Sequence, residues 1–291
     1  MTANADVQVT EIGAEDHACL TFGESEELFD LTAAFVRDGL AAGLKVVWLS
    51  DVRSGLAAGE LSRRGVPVEP AMAQGQMTAA GWEGRLLAGQ VFRASAAVGW
   101  LAGELESCKR QGFPGLRVAL DMSWALRPVA GIEELPEFEE GIAAALDGSA
   151  AAVLCQYDRE RFDPVTLASV GGFHTRAVAA ATYHADALLR ICRQYAPPGI
   201  RIAGELDFQA TEPLGLALAE AVRLGGDITV NMSALDFIDA HCTLLIAEAA
   251  RTAASQSRLV TLRCPPEIAK GFSMIGLAGL PGIRLVTAGD R

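Results

Sequence analysis

Along the first two-thirds of the chain, short apolar runs alternate with longer stretches in which apolar positions recur every three or four residues. The short runs, 18–22, 45–50, 116–121 and 151–157, are continuous enough to predict strands buried on both faces. Between them, 24–42, 55–64, 89–111 and 131–146 carry apolar residues at helical spacing. Strands separated by helices predict βαβ units and a mainly parallel sheet covered on both sides. The firmest helix start is at Gly23–Glu24–Ser25–Glu26–Glu27, where acids crowd the first turn and suit the positive end of the helix dipole.

The pattern changes near Tyr195–Ala196–Pro197–Pro198–Gly199, where a turn separates two alternating runs, 188–194 and 200–206. This predicts a β-hairpin that opens a new unit. A helix over 212–224, a strand over 228–232, a helix over 242–254, a strand over 259–263, a helix over 266–275 and a strand over 283–286 follow. The expected division is 1–185 and 186–291, both of α/β class.

Composition agrees with this picture. Half of the 291 residues are apolar and a fifth are charged, enough to build a core in each of two domains. The net charge of −12, with no dense Lys/Arg stripe, disfavours nucleic acid and anionic membrane surfaces as partners. A polar N-terminus and the lack of an uninterrupted run of 18 apolar residues predict a cytoplasmic protein. Six scattered cysteines with no CxxC pair read as reduced, mostly buried thiols.

In the second unit the order β-β-α-β-α-β-α-β is joined by Gly204–Glu205–Leu206–Asp207 after the hairpin, by Asn231 to Asp239 (NMSALDFID) leading into a helix, and by Ile275–Gly276–Leu277. These residues resemble the STAS family of anti-sigma-factor antagonists over nearly all of 187–291. Where that family has Ser-Ser-Gly-Leu after the Asp, this chain has Ala240, His241, Cys242 and Thr243, so the phosphorylated serine is absent. A phosphate there would add about −1.5 to −2 charge beside a helix N-terminus, and without the acceptor the usual kinase switch cannot operate. The resemblance implies a partner surface at Asp207 and Asp239–Thr243, and a lone His241 reads as a contact rather than a phosphoacceptor. Asp239 also suits a plain helix cap.

In the first unit a phosphate loop would need Gly-x-x-x-x-Gly-Lys-Ser/Thr after the first strand, and the chain offers three carboxylates at that helix entrance instead. No dinucleotide fingerprint, nucleophile elbow or metalloprotease helix occurs. What stands out is a set of polar and sulfur residues at strand ends: Asp16, His17 and Cys19; Asp121, Met122, Ser123 and Trp124; and Cys155, Gln156, Tyr157, Asp158 and Arg159. Ligands in open α/β sheets lie beyond the carboxyl ends of strands, which makes His17, Cys19, Asp121, Trp124, Cys155, Tyr157 and Asp158 the candidate ligand-binding set. The same residues, with Glu24, Glu27, Arg161 and Phe162, resemble the MEDS sensory family over about 11–180. That resemblance implies a RecA-like fold without a phosphate loop, and sensing of a small molecule. The family's His-Pro pair falls at His174, but Thr175 stands where the proline is expected.

Each of these residues also has a plainer reading. Cys19 and Cys155 read as core thiols, Trp124 as packing, and Asp121 and Asp158 as turn caps. His17, Cys19, Cys155 and His174 could converge on zinc or another soft metal, but single residues far apart in sequence are weak evidence for one, so no metal is assigned and the cofactor is left open. The function expected is a non-catalytic relay, in which the first unit senses a ligand or partner and the second binds an anti-sigma factor, a kinase or another regulator. The alternatives are a vestigial nucleotide hydrolase using a metal at Asp121 or Asp158, and a ligand-independent scaffold or homodimer.

Overall fold

The computed structural model describes residues 6–50 and 54–287. The chain forms two compact units, Met1–Ala179 and Ala180–Arg291.

In the first unit the elements run β1 (Asp6–Val7), β2 (His17–Phe22), α1 (Ser25–Ala41), β3 (Lys45–Leu49), α2 (Ser54–Arg63), α3 (Val68–Ala73) and β4 (Met77–Ala80). A small hairpin, β5 (Leu87–Ala88) and β6 (Val91–Phe92), precedes α4 (Ala94–Arg110), β7 (Leu116–Asp121), α5 (Leu135–Leu146), β8 (Ala151–Asp158), α6 (Pro164–Gly171) and β9 (Arg176–Val178). Seven strands pair in parallel in the order β1-β9-β2-β8-β7-β3-β4. This parallel sheet with interspersed helices is what the strand–helix alternation predicts, and it fits the RecA-like form that the MEDS resemblance implies. The expected helix over 89–111 starts later, at Ala94, because Gly89 (φ 66°) turns the chain and lets Leu87 pair with Phe92.

Alternation along the strands sends Cys19, Val47, Leu49, Val118, Leu120, Val153, Cys155 and Tyr157 into one apolar core, with Leu101 of α4 and Phe138 and Ile142 of α5 against them. The phosphate-loop position is also filled from within. The Gly23 N–H donates to Glu27 Oε2 at 3.1 Å, and Arg159 Nη1 lies 3.4 Å from the same buried oxygen. A Cβ on Gly23 would sit 2.4 Å from that guanidinium, so a larger residue there would have to displace the Arg159 side chain.

The second unit runs β10 (Thr182–Ala185), β11 (Leu189–Tyr195), β12 (Pro198–Leu206), α7 (Thr211–Arg223), β13 (Ile228–Ile238), α8 (Ala240–Ser255), β14 (Val260–Cys264), α9 (Pro266–Met274) and β15 (Ile283–Thr287). Its sheet follows chain order, antiparallel from β10 to β12 and parallel from β12 to β15. Because β10 pairs with β11, the structural division falls before Thr182, a few residues ahead of the expected one.

β13 is longer than the expected 228–232. It pairs with β14 only over Ile228–Asn231 but with β12 as far as Ile238, so its second half keeps one neighbour and leaves Phe237 exposed. Gly204 lies beside a register shift in β12 with φ 97°, and a Cβ there would meet the Leu188 carbonyl oxygen at 1.9 Å. Gly204→Ala is expected to cost about 1–3 kcal/mol. Urea unfolding followed by far-ultraviolet circular dichroism would check this, and a loss under about 0.5 kcal/mol would mean that the bulge relaxes freely.

Candidate functional site

Beneath α5, four elements of the first unit deliver polar side chains into the apolar core. His17 opens β2, Cys155 lies within β8, Glu139 projects from the middle of α5, and His174 follows α6; all four are buried. His17 Nε2 is 3.1 Å from Glu139 Oε2 and 3.5 Å from Cys155 Sγ. His174 Nε2 is 3.5 Å, and Cys155 Sγ 3.7 Å, from the same carboxylate oxygen. The Tyr157 hydroxyl donates to the other oxygen, Oε1. The two imidazoles lie against each other, with centroids 4.1 Å apart and planes tilted by 40°.

Local sequence accounts for this convergence. In parallel register Cys19 is opposite Cys155 and Thr21 opposite Tyr157, so alternate residues of both strands share the face that meets α5. Thr175 fixes the entry to β2: its N–H donates to the His17 carbonyl at 2.7 Å, and its hydroxyl accepts from the His17 N–H at 3.1 Å. A proline at 175 could not donate that first bond.

Burial works against charge on Glu139, yet the hydrogen bonds from His17 and Tyr157 hold it below the usual carboxylate range. Burial pushes His174 down to about 4, leaving it a neutral imidazole at physiological pH. Burial and the Glu139 charge push the Cys155 thiol and the Tyr157 phenol well up, and Cys19 up to about 12. In this setting the thiols are not nucleophiles.

The candidate ligand set thus divides. His17, Cys19, Cys155 and Tyr157 share one buried neighbourhood over the face of the sheet, rather than beyond the carboxyl ends of its strands. Asp121 accepts from the Ser123 N–H and hydroxyl and from the Ser50 hydroxyl, and Asp158 accepts from the Glu160 N–H, so both hold turns. Trp124 packs on Phe92 at 4.4 Å between centroids and is fully enclosed, out of a ligand's reach in this conformation.

Glu139 escaped the sequence reading. The signal was nevertheless present, because Leu135, Phe138, Glu139, Ile142 and Leu146 fall on one helical stripe, and a carboxylate on an apolar stripe needs buried partners.

In the second unit, Asp239 caps α8 by accepting from the Cys242 N–H at 2.7 Å, which holds its carboxyl below the ordinary range. Asp207 caps the short turn at Phe208–Ala210 through the Gln209 N–H. Ala240 and His241 are exposed and Thr243 half-buried. Cys242, expected on the partner surface, instead faces the core: as the third residue of α8 it turns inward, and its thiol donates to the Asp207 carbonyl at 3.2 Å. Beside Ala240 and Thr243 lies a groove of about 470 Å³ between the end of β13, α8 and α9, with Phe237, Leu244, Met274 and Ile275 exposed along it. Sequence reading did not predict this groove, because it depends on the second half of β13, which pairs with β12 but extends past β14.

Comparison with known proteins places these features in families. The profile of the MEDS family, the methanogen/methylotroph, DcmR sensory domain, matches residues 16–175. That of the Mlab STAS domain matches 189–287. Curated proteins give no sequence match. Similar solved structures include a KaiC-like protein from Pyrococcus horikoshii OT3, at 11% identity over 69% of this chain and 88% of that one, with a TM-score of 0.46. The flagellar accessory protein FlaH of Methanocaldococcus jannaschii is 9% identical over 68% and 90%, TM-score 0.45. An uncharacterized Pyrococcus horikoshii protein solved with an unknown peptide is 15% identical over 66% and 94%, TM-score 0.48. No helix among the described residues is long and apolar enough to cross a membrane. With its profile match covering more than half of the sequence, the chain belongs to the MEDS family, and it joins that sensory domain to a C-terminal STAS domain.

Proposed function

We propose that this chain is a non-catalytic regulator whose MEDS domain senses a small ligand or partner and whose STAS domain binds an anti-sigma factor or a related regulatory protein. The observation that carries the reading is the surface at the start of α8. There Ala240 and His241 replace the phosphorylatable serines, next to a groove bordered by exposed Phe237, Leu244, Met274 and Ile275. Exposed apolar side chains gathered around a helix N-terminus fit a protein partner better than a small polar substrate. With no hydroxyl at 240 or 241, control of that surface falls to the sensory domain rather than to serine phosphorylation. The non-catalytic part of the reading is supported by the turn after β2, where Glu27 takes the Gly23 N–H that a phosphate loop would offer to a nucleotide.

The test compares partner capture from the source cells by the immobilised chain and by its Leu244→Glu and Phe237→Ser variants. A regulatory protein held by the parent should bind the variants roughly thirty-fold more weakly, the equivalent of about 2 kcal/mol. Equal binding by all three would overturn the assignment of the surface.

A further inference from the structure

We propose that His17, Glu139, Cys155 and His174 form a closed, four-ligand site for a divalent ion of the zinc class. One donor atom from each of these residues lies within 4.8 Å of the others. A tetrahedral site with bonds of about 2.0–2.1 Å to nitrogen or oxygen and about 2.3 Å to sulfur has donor–donor edges of roughly 3.3–3.6 Å. Four of the donor pairs, at 3.1, 3.5, 3.5 and 3.7 Å, bracket that span, and every pair lies within 4.8 Å before any ion draws the donors together.

A hydrogen-bonded network without metal would also bring polar groups together, and His174 distinguishes the two. Its Nδ1 lies 2.8 Å from the Val170 carbonyl oxygen, which can only accept, so the proton of the neutral ring sits on Nδ1. Nε2 is then an acceptor facing a second acceptor, Glu139 Oε2, at 3.5 Å in a buried pocket. A cation between them turns that acceptor–acceptor approach into two metal–ligand contacts. The surrounding groups are those that orient ligands in metal sites: the Val170 carbonyl fixes the tautomer of His174, and the Tyr157 hydroxyl holds the oxygen of Glu139 that faces away.

Charge closes the argument. Two neutral imidazoles, one carboxylate and one thiolate around M²⁺ sum to zero inside an apolar core. Binding replaces the Cys155 S–H bond with an S–metal bond and releases that proton to solvent, while the Nε2 proton that His17 donates to Glu139 moves to its Nδ1, leaving Nε2 free to ligate. With four protein donors and no open position, the ion would be structural and would tie β2, α5, β8 and the segment after α6 together. Cys19, opposite Cys155 in the sheet, lies outside the donor group.

The full chain would be unfolded in chelator, then refolded under reducing conditions with one equivalent of Zn²⁺ or Co²⁺. Native mass spectrometry should show one metal per chain, and the cobalt form should show a thiolate-to-cobalt charge-transfer band with tetrahedral ligand-field bands. Cys155→Ser should abolish the charge-transfer band and Cys19→Ser should keep it, while His174→Gln should weaken metal binding at least tenfold. Refolded parent protein that retains neither ion, or a band that survives Cys155→Ser, would overturn the site. If Cys155→Ser fails to fold, the parent decides alone: Zn²⁺ should raise its unfolding midpoint over that in chelator, and an unchanged midpoint overturns the proposal. None of these readouts involves the STAS surface, so their failure would leave the partner-binding reading standing.

Discussion

Replacing Glu139 with alanine is expected to cost the first unit about 3–5 kcal/mol of stability, measured in chelator so that no metal contributes. The side chain is fully enclosed, and its two oxygens accept from His17, Cys155 and Tyr157. Alanine would strand the Tyr157 hydroxyl and the His17 ring nitrogen in an apolar core, at about 1–3 kcal/mol for each unsatisfied group, and would leave a cavity besides. Glu139→Gln keeps the volume and an acceptor for Tyr157, so its loss should be less than half as large. All four tryptophans, Trp48, Trp82, Trp100 and Trp124, precede Ala179, so their fluorescence during urea unfolding reports the first unit alone. A Glu139→Ala loss below about 1 kcal/mol would show that water reaches the cluster and relieves it.

The longer strands, β2, β3, β7 and β8 in the first unit and β11 to β15 in the second, were legible because each is a continuous or alternating apolar run, and such runs have few alternatives to burial in a sheet. β4, β9 and β10 were not legible: Met77–Ala80, Arg176–Val178 and Thr182–Ala185 are short and largely polar or small, and only pairing with a neighbour makes them strands. The same distinction runs through the sites. His17, Cys155 and Tyr157 were identifiable as unusual residues in apolar runs, whereas their convergence depends on the parallel register of β2 with β8 and on the rotation of α5 that brings Glu139 over them. In the STAS domain the motif located the α8 N-terminus correctly, but helical phase sends Cys242 inward while its neighbours Ala240 and His241 stay in solvent.

Trp124→Ala separates packing from ligand contact at the position where sequence reasoning left both open. The ring is fully buried in the turn after β7, 4.4 Å from Phe92 between centroids, and Phe92 in turn meets Phe138 edge-on at 5.7 Å. Phe92 belongs to the β5–β6 hairpin and Phe138 to α5, so this aromatic chain joins a short, weakly paired hairpin to the helix that carries Glu139. The indole N–H has no hydrogen-bond partner among the described residues, which leaves packing as its contribution. Truncation should therefore cost about 3–5 kcal/mol, the range for deleting a large aromatic side chain from a core, while Trp124→Phe should cost much less. The remaining three tryptophans report the transition, and hydrogen exchange should show the Leu87–Phe92 amides losing protection before those of β8. If Trp124→Ala unfolds at the parent's urea midpoint, the ring contributes no packing energy, and a role at a ligand site regains priority.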